Sequence, residues 1–212
     1  MSNHYVPYEL GLASLWSRAG LKGDMKAELE ILKKAYSEPH RKYHTLDHIH
    51  HCMTELPVVI SLTQDPVGVS IALLYHDFVY DPTASDNEAK SAEKAVEFCR
   101  HTGLTKSCGR NVRNLILSSS HKEYPIGCDA ALVSDIDLAI LGRTPVEFWY
   151  YERKIREEYD FVPEAAFREG RAKILRRFLD WPRVYSTEFF RNKYEAQARV
   201  NLEASIACLK GK

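Results

Sequence analysis

Apolar residues recur along this chain at spacings of three and four, which is the pattern of amphipathic helices. The alternation of apolar and polar positions that is typical of strands is nearly absent. Proline residues fall at most of the joins between the helical stretches. The predicted helices span about 8–19, 24–37, 46–62, 66–77, 86–102, 107–120, 129–141, 145–159, 163–179 and 187–209. The pattern therefore predicts an all-α fold, arranged as a compact helical bundle.

Residues at the ends of these stretches refine some boundaries. Ser85 and Glu88 stand three positions apart, as in a capping box, and predict the start of the fifth helix. Pro163 fits the first turn of the ninth helix, and Gly142 fits the end of the seventh. No linker, repeat or low-complexity segment interrupts the chain, so we expect a single domain over residues 1–212.

Composition narrows the partners that we expect. Lys and Arg together number 29, as do Asp and Glu, so the net charge is zero. Proteins that bind nucleic-acid polymers or membrane surfaces are usually basic, and neither partner is expected here. The cysteines are scattered without a Cys-x-x-Cys pair, which indicates reduced thiols. The first residues lack the layout of a signal peptide, and the apolar runs are shorter than the roughly 18 residues that span a bilayer. We therefore expect a cytoplasmic protein, and a homo-oligomer stays open.

A His-Asp pair, His76-Asp77, lies within the apolar run 69–80. Two ionisable side chains in such a run cost several kcal/mol unless they have a partner. Upstream, His44 and His48 stand four positions apart and share one helical face if the helix begins early enough. This spacing also occurs in the zincin motif, but Thr45 occupies the position of its glutamate, which excludes that motif.

Two aspartates, Asp135 and Asp137, lie in the apolar helix predicted at 129–141. At 100° per residue, Asp137 lies about 70° from the centre of the apolar face and Asp135 about 130° from it. Asp137 is therefore expected to point inward, and Asp135 is held in reserve. A divalent metal held by His48, His76, Asp77 and the distant aspartate would supply the partner that the buried groups need.

The order His…His-Asp…Asp on a helical chain resembles the HD superfamily of metal-dependent phosphohydrolases. Several stretches resemble more closely a group of predicted HD phosphohydrolases, over nearly the whole chain from about residue 43 to 201. These stretches are Tyr43–His48, Tyr75–Asp81, Asp86–Glu88, Asp135–Gly142, Ile155–Tyr159 and Gly170–Arg171. The resemblance implies an HD-domain-like fold with a metal-site core at about 40–145 and a helical C-terminal part at about 145–212.

The resemblance also implies the metal ligands, namely His48, His76, Asp77 and one of the two later aspartates. Helical cyclic-nucleotide phosphodiesterases share a Tyr-His-Asn-x-x-His opening, which maps the leaving-group acid to His44, although Thr45 replaces the Asn. The further histidines that build a two-metal site in many relatives are lacking, so one divalent ion is favoured. A His and carboxylate site suits Mn, Fe, Co, Mg, Ni or Zn, and the sequence does not choose among them.

Further roles follow from the chemistry of such a site. Asp77 would orient the attacking water and Asp81 would accept its proton, although Asp81 also fits the start of the turn at Pro82. The candidate substrate-binding residues are His121, Glu88, Arg156 and Arg171. Each has a plain alternative: His121 suits a helix end, Glu88 a cap, and the arginines ordinary salt bridges.

The expected function is metal-dependent hydrolysis of a phosphate ester or phosphoanhydride in a small metabolite, with a nucleotide favoured on the strength of the resemblance. One alternative is a phosphodiesterase that opens a cyclic nucleotide or a dinucleotide. The other is a metal- and nucleotide-binding sensor module without turnover.

Overall fold

The computed structural model describes residues 7–211, and within that range the regular elements are helical with no strand. This confirms the prediction of an all-α fold. The chain divides into two compact units, the first ending at Ile136 and the second beginning at Asp137.

The first unit contains helices joined by short loops and a 3-10 turn at Ile60–Leu62. The helices are α1 (Pro7–Ala19), α2 (Met25–Ala35), α3 (Leu46–Val59), α4 (Pro66–Tyr75), α5 (Asn87–His101), α6 (Lys106–Ser118) and α7 (Cys128–Asp137). The boundary between the units falls one residue before the end of α7, so Asp137 is described as part of that helix.

The second unit continues from α7 into a 3-10 segment at Leu138–Gly142. Its α-helices are α8 (Pro145–Glu158), α9 (Glu164–Asp180), α10 (Glu188–Phe190) and α11 (Ala196–Leu209), with a π-helical segment at Arg191–Glu195 between the last two.

The predicted helices match the observed ones closely, and most differences lie at their ends. The helix predicted at 187–209 differs in its interior, where the π-helical segment Arg191–Glu195 interrupts the α-helical course. Helix α4 ends at Tyr75, so His76 and Asp77 begin the turn that follows it. The predicted capping box at Ser85 is wrong: Asp86 is the N-cap of α5, and its carboxylate pairs with Lys90 at 2.9 Å instead of capping the helix.

Helix α4 lies at the centre of the first unit's core. Val69, Ile71, Leu73 and Leu74 are fully buried, and the helix packs against α1, α3, α5 and α6. A helix that is apolar on every side must be enclosed by its neighbours. Its C-terminal end, where the His-Asp pair follows, is therefore an interior position.

A buried carboxylate connects the start of α7 with the start of α4. Asp129 accepts hydrogen bonds from the backbone amides of Gln64 at 2.7 Å and Asp65 at 2.8 Å. Hydrogen bonds to an ionised acceptor are stronger than neutral ones. Asp129 therefore fixes the position of α7 relative to α4 within the first unit.

Side chains of the second unit fix the 3-10 segment that follows α7. The hydroxyl of Tyr185 donates to the carbonyl oxygen of Leu138 at 3.0 Å. The buried amide of Asn201 donates to the carbonyl oxygens of Leu141 at 2.8 Å and Arg143 at 2.9 Å. These bonds satisfy carbonyls that an α-helix would have paired internally, which explains how the helical course can tighten after Asp137.

Among the helices within residues 7–211, none combines the length and the apolar character needed to cross a bilayer.

Two glycines of the second unit provide a test of this packing. A Cβ atom at Gly142 would lie 2.5 Å from the Cβ of Tyr194 and 2.7 Å from the backbone oxygen of Tyr194, whereas one at exposed Gly170 would meet nothing within 4 Å. We expect Gly142→Ala to lower the free energy of unfolding by about 1–3 kcal/mol, since the backbone must shift. Gly170→Ala, in the middle of α9, should raise it by about 0.5–1 kcal/mol. Urea denaturation measures both, and equal effects of the two variants would contradict the packing described here.

Candidate metal centre

His48 is placed by the first turn of α3. Thr45 is the N-cap of this helix, and its hydroxyl accepts a hydrogen bond from the amide of Asp47 at 3.3 Å. His48 follows three residues later with 2% of its surface exposed. The two histidines were expected to share a helical face only if the helix began early enough, and α3 begins at Leu46, after His44. Their rings are nonetheless neighbours, with centroids 6.0 Å apart.

His76 has its tautomer set by a backbone contact. Its Nδ1 lies 3.0 Å from the carbonyl oxygen of Leu73, and a carbonyl oxygen can only accept. Nδ1 therefore carries the hydrogen, and the Nε2 of a neutral His76 presents a lone pair. A second ring nitrogen fixed in this way is typical of metal-binding histidines.

Three donor atoms meet in front of these two histidines. The Nε2 atoms of His48 and His76 are 3.0 Å apart. Oδ2 of Asp77 lies 3.0 Å from Nε2 of His76 and 3.6 Å from Nε2 of His48. These three side chains come from the first turn of α3 and from the turn after α4.

Asp137 brings a further carboxylate to the same place from the end of α7. One of its oxygens and one ring nitrogen of each of His48 and His76 all lie within 4.8 Å of one another. The sequence selected Asp137 as the inward-pointing aspartate, and that reason is wrong. Asp135 is fully buried, while Asp137 is half-buried. Five consecutive residues of α7, Leu132–Ile136, are buried, so the helix has no single inner face.

The His48, His76 and Asp137 group can hold a metal ion. Nε2 of His76 faces both the ring nitrogen of His48 and a carboxylate oxygen of Asp77, so these groups are close enough to bind one cation together. Metal–ligand bonds of about 2.1 Å place adjacent ligands of an octahedral ion about 3.0 Å apart. Two of the three distances among the donor atoms of His48, His76 and Asp77 have this value. Imidazole and carboxylate together suit borderline and hard divalent ions.

The cluster is closed on one side and accessible on the other. His48 and His76 are both 2% exposed, whereas the side chain of Asp77 is 20% exposed. The buried imidazoles lie in an environment of low polarity, which strengthens their interaction with a cation. Water or a small ligand can approach beside Asp77.

Arg41 contacts this centre and was not identified from the sequence. Its guanidinium donates to the backbone oxygens of His44, Asp77 and Phe78. The sequence gives little indication of this role, because the acceptors of Arg41 are backbone oxygens and two of them are more than 30 residues away.

Asp81 is occupied by the turn that it begins. Its carboxylate accepts hydrogen bonds from the hydroxyl of Thr83 at 2.6 Å and from the amide of Thr83 at 2.8 Å. These bonds hold the pKa of the exposed Asp81 carboxyl below its ordinary value. A weakened base of this kind is poorly suited to general-base catalysis.

His121 is the non-glycine residue with positive φ, 51°, among residues 7–211. It is half-buried, and its Nδ1 lies 3.4 Å from the hydroxyl oxygen of Ser134, three residues before Asp137 on α7. Left-handed backbone in a non-glycine residue carries strain and is enriched at functional sites.

Glu88 lies half-buried in the first turn of α5. Substrate binding by His121 or by Glu88 stays a prediction.

The two predicted arginines lie in the second unit and have carboxylate partners there. Arg156 donates to Glu164 at 3.0 Å and to nearby carbonyls. Arg171 is buried and donates to Glu152 and to the hydroxyl of Tyr151. Burial would lower the pKa of Arg171, but Tyr151 and Glu152 raise it above its ordinary value. These contacts explain both arginines locally, and a substrate-binding role stays a prediction.

Comparisons of the chain with protein-family models, with curated proteins and with solved structures give no match.

Metal binding is testable through thermal stability. We expect Mn²⁺ at about a hundred times its Kd to stabilise the wild-type protein by about 2.7 kcal/mol, because the ion binds only the folded chain. His48→Ala should lose this stabilisation. His51→Ala, an exposed position on the same helix, should retain it. Thermal unfolding with Mn²⁺ and with EDTA measures the difference, and an Mn²⁺ response in His48→Ala equal to that of the wild type would rule out this centre.

Proposed function

We propose that this protein is a divalent-metal-dependent phosphohydrolase with an HD-domain-like site, acting on a small phosphorylated metabolite, with nucleotides as the favoured substrates. The observation that carries the proposal is the convergence of His48, His76, Asp77 and Asp137 from three separate stretches of chain. These four residues follow the order His…His-Asp…Asp, on which the resemblance to the HD superfamily is based. We propose one ion per chain, because the same two histidine nitrogens lie beside the carboxylate of Asp77 and beside that of Asp137.

When bound, the ion would polarise a phosphoryl oxygen and lower the pKa of a water molecule. The chain's own contribution is to orient the imidazoles. The carbonyl oxygen of Leu73 performs this for His76 by accepting from its Nδ1. The side chain of Asp77 is more exposed than those of His48 and His76, so it is suited to orient the attacking water by hydrogen bonding.

His44 is the proposed general acid. Its ring lies beside that of His48, and the ring centroid of Tyr80 is 4.3 Å away on another side. Imidazole titrates near neutrality, which suits donation of a proton to a departing oxygen. The backbone of His44 is held by Arg41 at 3.0 Å, so the ring is attached to a fixed segment.

Asp81 has no part in this proposal, because Thr83 and the turn at Pro82 account for its carboxylate. Water activation is assigned to Asp77 and the bound ion alone. Asp81→Asn, which preserves an acceptor oxygen for the turn, is therefore expected to keep its turnover.

Turnover is the test of the proposal. The wild-type protein with Mn²⁺ should hydrolyse at least one member of a panel of nucleotides, sugar phosphates and cyclic nucleotides, detected as released phosphate or, for a cyclic nucleotide, as the nucleoside monophosphate. Asp77→Asn should lower kcat by about 100-fold or more, since it removes a charged ligand and the group that orients the water. Asp86→Asn, an exposed carboxylate at the start of α5, is the matched control and should keep its activity.

The sensor alternative predicts a different result from the same panel. A protein that binds Mn²⁺ and a nucleotide but yields no product with any divalent ion would be a binding module. Equal turnover of Asp77→Asn and the wild type would contradict the assignment of Asp77.

A further inference from the structure

We propose that Arg41 is a positioning residue of the metal centre, which holds the segment carrying His44 against the segment carrying Asp77. The inference rests on the proposed function, because it assigns a task in building the metal centre on which that function depends. It adds a residue that contacts neither the ion nor the substrate.

The guanidinium of Arg41 binds three backbone oxygens from two separate segments. Nη1 donates to the oxygen of His44 at 3.0 Å and to that of Asp77 at 2.7 Å, and Nη2 donates to the oxygen of Phe78 at 2.9 Å. A single side chain thus connects the segment before α3 with the turn after α4.

Each of the three guanidinium nitrogens already has a protein partner, and the group is buried. Its Nε donates to the carboxylate of Glu38 at 3.0 Å, and the residue is 4% exposed. The rings of Tyr36 and Tyr80 lie 5.1 Å and 5.4 Å from its central carbon, within the range of cation–π contact. A role in binding a phosphate directly is therefore unsupported by its contacts.

The acceptors of Arg41 explain why a guanidinium is needed. The carbonyl oxygens of Asp77 and Phe78 lie in the turn after α4, and Arg41 supplies hydrogen-bond donors to both. The planar fork of arginine reaches several acceptors in fixed directions, which the single ammonium group of lysine cannot do.

Small movements of these segments would disperse the metal ligands. His76 and Asp77 lie outside regular helix, and the donor atoms of the cluster are only 3.0–3.6 Å apart. Contacts that orient ligands indirectly typically change metal affinity by about 10- to 100-fold when removed. Arg41 supplies such a contact through the backbone of Asp77.

A matched control exists in the second unit. Arg168 also clamps backbone oxygens, those of Leu209 at 2.7 Å and Cys208 at 2.8 Å, and it has no assigned part in the metal centre. Arg168→Met removes a comparable set of hydrogen bonds. It therefore measures how the loss of arginine–carbonyl hydrogen bonds outside the metal centre affects stability and Mn²⁺ binding.

The experiment compares Arg41→Met, Arg41→Lys and Arg168→Met by calorimetric titration with Mn²⁺, well below the unfolding temperature of each variant. We expect the Kd for Mn²⁺ to rise by about 10-fold or more in both Arg41 variants, since neither restores the fork. Arg168→Met should keep the wild-type Kd even if its Tm falls. Circular dichroism establishes that each variant is folded.

Folded Arg41 variants that bind Mn²⁺ as tightly as the wild type would overturn the inference while leaving the proposed function intact. If Arg41→Met does not fold, Arg41→Lys decides. Failure of both to fold would assign Arg41 to stability alone and also overturn the inference. A wild-type protein that binds no divalent ion would instead defeat the proposed function itself.

Discussion

The constraint on which the site depends is the approach of two buried imidazole nitrogens to each other and to a carboxylate. Nε2 of His48, Nε2 of His76 and Oδ2 of Asp77 lie 3.0–3.6 Å from one another, a spacing at which a single cation can be bound by all three. The carbonyl oxygen of Leu73 accepts a hydrogen bond from Nδ1 of His76, so the single ring hydrogen of a neutral His76 lies on Nδ1 and its Nε2 can bind a metal ion. A bound divalent ion would be ligated by both imidazoles, and the half-buried carboxylate of Asp137 lies within 4.8 Å of their ring nitrogens.

The surrounding fold places these groups by a few specific means. Helix α4 is enclosed on all sides, so the turn after it lies inside the first unit. Asp129 joins the start of α7 to the start of α4, and Arg41 joins the turn after α4 to the segment before α3. Each connection uses a charged side chain and backbone partners, which gives directionality that apolar packing lacks.

Helical periodicity was sufficient to predict the helices, because each has an apolar face or an apolar run of the expected spacing. It was insufficient where side chains distant in sequence decide the backbone, as at Leu138–Gly142, where Tyr185 and Asn201 bind the carbonyls. Periodicity also failed to predict the full burial of Asp135. Five consecutive residues of α7 are buried, so this helix has no single inner face that a periodic pattern could identify. Arg41 was missed because its acceptors are backbone oxygens, which carry no sequence signal.

Anomalous scattering of Mn²⁺ in crystals of the wild-type protein would locate a bound ion directly. We expect one strong peak per chain within bonding distance of Nε2 of His48 and of His76, with carboxylate oxygens of Asp77 and Asp137 completing the protein ligands. Absence of a peak at saturating Mn²⁺, or a peak bound only to other residues, would contradict it.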